Sequence, residues 1–178
     1  MTQISLHKVM IDTFGPNLES MSSFLDIGAA HARSSGQDLV NARLAPDMFT
    51  LAWQVQTACY FVRDTMGRLT GEPPAAYPSD AETSFDGMKA LIERTLEALR
   101  ATREEDFEGA GERDCSIDIP GDEGLVLVLN GSTYLLNLIL PNFYFHVTTA
   151  YDILRHHGVV LGKRDFMSSV GAFVKTRP

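Results

Sequence analysis

The feature that most constrains this sequence is the stretch LPNFYFHVTTAYDILRHHG, which runs from Leu140 to Gly158 near the C-terminal end. Its apolar residues recur at spacings of three and four, and it closes at a glycine, which is typical of a long amphipathic helix. One face of that helix carries these residues in order: Ile139, Asn142, His146, Thr149, Ile153 and His156. Three polar groups therefore occupy positions where a helical bundle normally buries apolar side chains.

Two interpretations of this polar face remain open. A buried polar group costs free energy unless it is hydrogen-bonded, so Asn142, His146 and Thr149 need partners, water or a ligand. In the first interpretation, His146 is satisfied by a neighbouring amide or hydroxyl inside the core. In the second, the face lines a ligand pocket together with Gln54, which lies at the edge of the core stripe of an earlier helix.

The spacing of apolar residues predicts three helices before this one. The first covers Ile4 to Ala32, with a kink or a short break at Gly15-Pro16. The second starts at Pro46, a residue favoured in the first helical turn, and runs to about Leu69. The third starts near Ser84, a good N-cap residue.

Two short strands are predicted between the third and fourth helices. The segments CSIDIP and GLVLVLNG, joined by GDE, have the pattern of a β-hairpin. The fourth helix then begins near Ser132, is bent or broken near Pro141 and continues to Gly158, and the tail after it forms a last small helix. With 178 residues, a single domain spanning 1–178 is expected, an all-α bundle with an inserted hairpin.

The bulk properties exclude several classes of partner. The net charge is −8, from 15 basic and 23 acidic residues, which argues against nucleic acid or an anionic membrane. No window is long and apolar enough to span a membrane, and the N-terminus lacks the features of a signal peptide. We therefore expect a cytoplasmic protein in which Cys59 and Cys115 are free thiols.

Local motifs do not supply a reaction. His156 and His157 are adjacent on a helix and point about 100° apart, so they are poorly placed to chelate one metal ion. Cys59 lies on a largely apolar side of its helix, which is typical of a core thiol. The sequence contains no P-loop, no GxSxG and no dinucleotide-binding glycine motif.

Three stretches resemble the DinB/YfiT-like superfamily of four-helix bundles: LAPDMFTLAWQVQTACYF, LPNFYFHVTTAYDILRHHG and GKRDFM. The resemblance covers nearly the whole chain and is greatest to the branch known only as a domain of unknown function. It implies a DinB-like bundle with a small hairpin before the last bundle helix. Some members of the superfamily transfer or isomerise substrates with the help of small-molecule thiols.

The same resemblance implies a three-histidine metal site that this chain has altered. In metal-binding members, one histidine lies on the second helix and two form an HxxxH pair on the last bundle helix. Here those positions align with Gln54, Asn142 and His146, so two of the three ligands are amides. Amide oxygens are poor ligands for zinc or nickel, so we expect no tightly bound metal and no cofactor.

Three hypotheses follow for the function. In the first, Gln54, Asn142, His146 and Thr149 line a polar pocket for an unknown small molecule, in a binding protein or vestigial enzyme. His146 is then the only acid–base group on that face, so whether a reaction is catalysed stays open. The second hypothesis is a non-enzymatic interaction or scaffold protein. The third is a metal-dependent enzyme with an atypical His/Asn/Gln site.

A homodimer is also expected, because two helices carry apolar residues nearly all round. Its predicted faces are the aromatic and aliphatic residues left over by the core stripes of the second and last helices: Phe49, Trp53, Tyr60, Phe143, Tyr144, Val147, Tyr151 and Leu154. The substrate or ligand and the pathway do not follow from the sequence.

Overall fold

The computed structural model describes residues 4–119 and 124–175, with residue 172 described by its backbone alone. Most of the chain is helical, and the predicted all-α class with a small hairpin is confirmed. The elements are α1 (Leu6–Ser35), α2 (Leu51–Thr70), α3 (Phe85–Ala101), β1 (Asp114–Asp118), β2 (Val126–Asn130), α4 (Gly131–Thr133), α5 (Leu140–His156) and α6 (Lys163–Phe166). Short 3₁₀ turns lie at Glu104–Phe107, Ala110–Glu112 and Ser168–Phe173.

Helix α1 is uninterrupted over Leu6–Ser35, so of the two predicted alternatives at Gly15-Pro16, a kink or a short break, the break is wrong. The side chain of Ser5 caps its start by accepting a hydrogen bond from the backbone of Lys8, and Gly36 ends it in the left-handed conformation. Pro16 lies inside the helix and removes one backbone donor. The buried apolar residues on both sides of Pro16 hold the helix together through tertiary packing.

Helix α2 begins at Leu51 and not at Pro46, because Thr50 supplies the cap by accepting from the backbone of Trp53. Pro46 belongs to the turn before the helix. The start of α3 agrees with prediction, since Ser84 accepts a hydrogen bond from the backbone of Gly87 over 3.0 Å.

The four long helices pack in a closed ring in which α1 contacts α3 and α5, and α2 contacts the same two helices. Helices α1 and α2 therefore lie at opposite corners, and the chain crosses between them through residues 36–50. The core lies inside this ring and includes Phe14, Phe24 and Phe143, each fully buried. Within the described ranges, none of the helices combines the length and apolar character needed to cross a membrane.

The hairpin forms as predicted, with β1 and β2 antiparallel and Ser116 opposite Val128. Cys115 of β1 is buried against the bundle, whereas β2 is largely exposed. The joining GDE segment, residues 121–123, lies outside the described residues, as residue 120 does.

The last long helical run starts at Gly131, close to the predicted Ser132, but the predicted break near Pro141 is wrong. A π-helical segment, Tyr134–Ile139, which was not predicted, leads directly into α5. Such segments insert an extra residue into a helix and are frequent at functional sites. Pro141 is the second residue of α5 and lies within this continuous run, where it cannot donate a backbone hydrogen bond to the preceding turn. The predicted small helix of the tail is α6.

Some residues of the predicted dimer faces are buried within the protein's own core. Phe143, Val147 and Leu154 are buried in its own core, so their assignment to an intermolecular face is wrong. A face of α5 that looked surplus in sequence is covered because α5 packs against both α2 and α1. Phe49 and Tyr144 remain exposed, by 44% and 41%.

Candidate functional site

Two residues 92 positions apart in sequence meet inside the bundle. His146 of α5 and Gln54 of α2 are both buried, and Nδ1 of His146 lies 2.6 Å from Oε1 of Gln54. Their helices pack face to face, which brings the polar positions of both stripes to the same depth. The predicted hydrogen bond between His146 and an amide of this face is therefore present, and its partner is Gln54.

The geometry of this pair fixes the proton on the imidazole. The amide nitrogen of Gln54 donates to the carbonyl oxygen of Phe49 over 3.2 Å, which turns Oε1 towards the histidine. Oε1 can only accept, so Nδ1 of His146 must carry the hydrogen. In the neutral ring, Nε2 is then left as a lone-pair acceptor that none of the hydrogen bonds among the described residues uses. It is not one of the buried polar atoms without a partner, so it is accessible to solvent.

Burial decides the charge of His146. Removal from water lowers the pKa of the imidazole from 6.5 to about 4, because the charged form loses its hydration. His146 is consequently neutral near pH 7. A neutral imidazole with its proton held on Nδ1 is a fixed hydrogen-bond acceptor at Nε2.

Aromatic rings surround this imidazole. The ring of Phe61 stacks at 5.7 Å between centroids, that of Phe49 stacks at 6.2 Å, and that of Phe145 meets it edge-on at 5.3 Å. Further ring contacts join Phe49 to Trp53, Trp53 to Tyr77, Tyr77 to Tyr60, and Tyr60 to Phe61. We call these six residues around His146 the aromatic collar: Phe49, Trp53, Tyr60, Phe61, Tyr77 and Phe145.

Tyr77 joins the collar from the connection between α2 and α3. Gln56, buried on α2, holds that connection by donating to the carbonyl of Asp80 and by accepting from the backbone of Glu82 over 2.9 Å. Tyr77 itself stacks on Trp53 at 6.3 Å between centroids. The Pro-rich segment therefore packs against α2 and completes the collar at its outer side.

The other two predicted site residues are not drawn into the pair. Asn142 donates to the carbonyl of Leu138 over 2.7 Å, and Thr149 donates to the carbonyl of Phe145 over the same distance. Each is satisfied by the preceding turn of its own helix, a common role for such side chains. The structure thus brings together His146 and Gln54, while Asn142 and Thr149 flank them on α5.

A transition metal does not fit this arrangement. The oxygen of Gln54 accepts from His146, and the amide oxygens of Gln54 and Asn142 are poor ligands for zinc or nickel. Elsewhere in residues 4–119 and 124–175, no group of three or more His, Cys, Asp or Glu side chains is placed to hold a metal ion. One free imidazole nitrogen is fewer than the three or four ligands that zinc takes from a protein.

A buried charged cluster that is not predicted from the sequence lies next to the hairpin. Oδ2 of Asp64 accepts from the hydroxyl of Tyr134 and from Nε of Arg68, both over 2.7 Å. The guanidinium of Arg68 lies over the ring of Tyr134 and also donates to the carbonyl of Ser116 in β1 over 2.5 Å. The cluster ties α2 to the π-helical segment and to the hairpin.

One signal for this cluster was present in the sequence. Asp64 and Arg68 are four residues apart on a predicted helix, the spacing of a helical ion pair. Tyr134 and Ser116 had no such signal, because they reach the pair only through the tertiary fold. Burial, with the hydrogen bond to Asp64, raises the pKa of Tyr134 far above its ordinary value, so the phenol remains a donor.

Comparison with known proteins assigns the chain to a family. The model described as a domain of unknown function (DUF1993) matches residues 6–167. A crystal structure of a DinB family member protein from Shewanella denitrificans, solved at 1.83 Å, shares 33% sequence identity and a TM-score of 0.80 over 97% of this chain and 96% of that one. None of the curated proteins matches. The chain therefore belongs to the DUF1993 family of domains of unknown function and has the fold of a DinB family protein.

Proposed function

We propose that this protein binds a small aromatic molecule that carries one hydrogen-bond donor, at Nε2 of His146. The single observation that carries the proposal is the hydrogen bond from Nδ1 of His146 to Gln54, which leaves Nε2 as an acceptor without a protein partner. Nε2 is not among the buried polar atoms without a partner, so it is accessible from outside the bundle and can accept a hydrogen bond from a bound donor.

The aromatic collar supports the choice of an aromatic ligand. Phe49, Tyr77 and Phe145 keep 44%, 50% and 54% of their surface exposed although they are large apolar residues. Grouped exposed aromatic rings commonly mark a binding surface. A planar ring lying on them would stack or pack edge-on, while its N–H or O–H group reaches the imidazole.

Binding is better supported than proton-transfer catalysis. An efficient general base has a pKa near the working pH, whereas the pKa of His146 is lowered to about 4. A base that weak takes a proton poorly at pH 7, but the same neutral ring accepts a hydrogen bond at any physiological pH. The proposal is therefore a binding protein, or an enzyme that has lost its metal-dependent step.

The test compares ligands that differ only in the donor. Binding of phenol and indole is measured by the shifts of the His146 ring carbons in NMR titrations, with anisole and 1-methylindole as analogues that lack the donor. We expect the donor compounds to bind about tenfold more tightly, the effect of one well-placed hydrogen bond. His146→Phe should abolish that advantage, and Gln54→Leu should reduce it by releasing the proton from Nδ1.

His156→Phe is the matched control, because His156 lies on the same helix and is exposed. It should leave the preference for donor compounds unchanged. Equal binding of phenol and anisole, or an unchanged preference in His146→Phe, would reject the proposal.

A further inference from the structure

One strand of the hairpin packs against the bundle, and the other is exposed to solvent. In β1, Cys115 is buried, whereas in β2 Val126 and Val128 keep 54% and 51% of their surface exposed. Leu125, just before β2, is exposed by 55%. The outer strand of this two-stranded sheet is therefore an edge that carries apolar side chains.

The backbone of β1 is satisfied on the side away from β2. The carbonyl of Ser116 accepts from the guanidinium of Arg68, so the polar backbone groups of Ser116 point away from β2. In an antiparallel ladder, pairs that exchange hydrogen bonds alternate with pairs that do not. Ser116 and Val128 are opposite each other and therefore form a pair that does not exchange backbone hydrogen bonds.

It follows that Val128 also points its N–H and C=O away from the ladder, and that Val126, two residues earlier, does the same. The bond from the N–H of Ile119 to the carbonyl of Leu125 fits this alternation. In the part of the chain that the structure describes, no backbone hydrogen bond from another segment reaches Val126 or Val128. The outer edge thus has four backbone groups free for pairing.

The residue types that usually keep an edge from pairing are missing from this five-residue strand. Protected edges carry lysine, proline, inward charges or bulges. Residues 125–130, LVLVLN, contain no charged residue and no proline. The chain has a net charge of −8, yet this strand brings no like charges together when it faces a copy of itself.

We propose that β2 pairs antiparallel with β2 of a second copy, so that two hairpins form one four-stranded sheet. The two-fold axis passes beside Leu127, which faces Leu127 of the other copy. Val126 of each copy then exchanges both backbone hydrogen bonds with Val128 of the other, which satisfies all the free groups. A second copy is the occupant because this edge is self-complementary under a two-fold axis.

The expected dimer is weak. A stable interface buries about 800 Å² on each partner, and one strand of five residues with its side chains covers less than that. We therefore expect a dissociation constant in the micromolar range or above, and a mass that rises with concentration in sedimentation velocity.

Variants that carry a charge at the two-fold axis test the pairing. Leu127→Glu and Leu127→Lys each place like charges opposite one another and should weaken the homodimer at least about tenfold. An equimolar mixture of the two variants should restore a dimer, now a heterodimer. Leu136→Glu and Leu136→Lys are the matched controls, since Leu136 is 48% exposed but lies in the π-helical segment.

A second measurement covers the case in which the Leu127 variants fold poorly. In the wild-type protein, amide hydrogen exchange at Val126 and Val128 should slow as the concentration rises, while that of exposed helix termini should not change. A protein that is monomeric at all concentrations overturns the proposal. So does a dimer that Leu127 variants leave intact, or exchange at these amides that is independent of concentration.

Discussion

The hydroxyl of Tyr134 donates a hydrogen bond to Oδ2 of Asp64 over 2.7 Å, and both side chains are buried. This bond joins α2 to the π-helical segment that leads into α5. Oδ1 of the same carboxylate is buried without a partner among the described residues, so Asp64 depends on the two donors at Oδ2.

Tyr134→Phe should therefore destabilise the protein by about 1–3 kcal/mol, because it removes one of the two donors to a buried carboxylate. The free energy of unfolding is measured by urea denaturation. Tyr144→Phe is the control, since Tyr144 is exposed by 41%, and its effect should stay within about 0.5 kcal/mol. A Tyr134→Phe protein as stable as the wild type would show that the bond contributes nothing net.

His146 should make stability depend on pH. Its folded-state pKa, about 4, lies below the ordinary 6.5, so between these values the folded state binds fewer protons than the unfolded state. Stability therefore rises with pH through this window and is lost as pH falls from about 6.5 towards 4. The loss from pH 7 to pH 5 is expected to be on the order of 2 kcal/mol.

The measurement compares urea unfolding at both pH values for wild type and for His146→Phe. The variant should lack this component of the pH dependence, whereas His156→Gln, an exposed change on the same helix, should retain it. If wild type and His146→Phe lose stability equally on acidification, His146 is not the group responsible.

The purified protein should hold no stoichiometric transition metal. Nε2 of His146 is the one imidazole nitrogen that this face offers, and the amide oxygens of Gln54 and Asn142 are poor ligands for zinc or nickel. Elemental analysis of protein prepared without chelators measures the metal content. About one zinc or nickel ion per chain that disappears in His146→Ala would instead support a metal-dependent enzyme.

Both cysteines should resist modification in the folded protein. Cys59 and Cys115 are buried, and burial raises the pKa of Cys59 to about 12, so little thiolate forms. A chromogenic disulfide reagent should label neither thiol under native conditions and both in urea. Rapid native labelling of either cysteine would indicate local opening of the bundle.

Local signals accounted for much of the fold. The cap at Ser84, the hairpin and the start of the last helical run near Ser132 follow from nearby residues and agree with the structure. The start of α2 was placed too early because Pro46 suits a turn as well as a first helical residue. The supposed break at Pro16 failed because core packing outweighs the loss of one backbone hydrogen bond.

The candidate site was predictable in part. The helical spacing placed His146 on an inward face, and the family resemblance paired it with Gln54. The sequence did not distinguish His146 from Asn142 and Thr149, whose side chains donate hydrogen bonds to carbonyls of their own helix. Choosing between a local and a distant hydrogen-bond partner depends on ångström-scale distances between helices.

The sequence by itself determined which segments are helical, where the hairpin lies and that a polar face enters the bundle, because periodicity and capping are properties of neighbouring residues. Tertiary structure decided the partners across the core. The contact of His146 with Gln54, the cluster of Asp64 with Tyr134, and the outward edge of β2 join residues far apart in the chain or follow from how the hairpin docks. Such contacts depend on the close packing of side chains between helices, and no local sequence pattern encodes that packing.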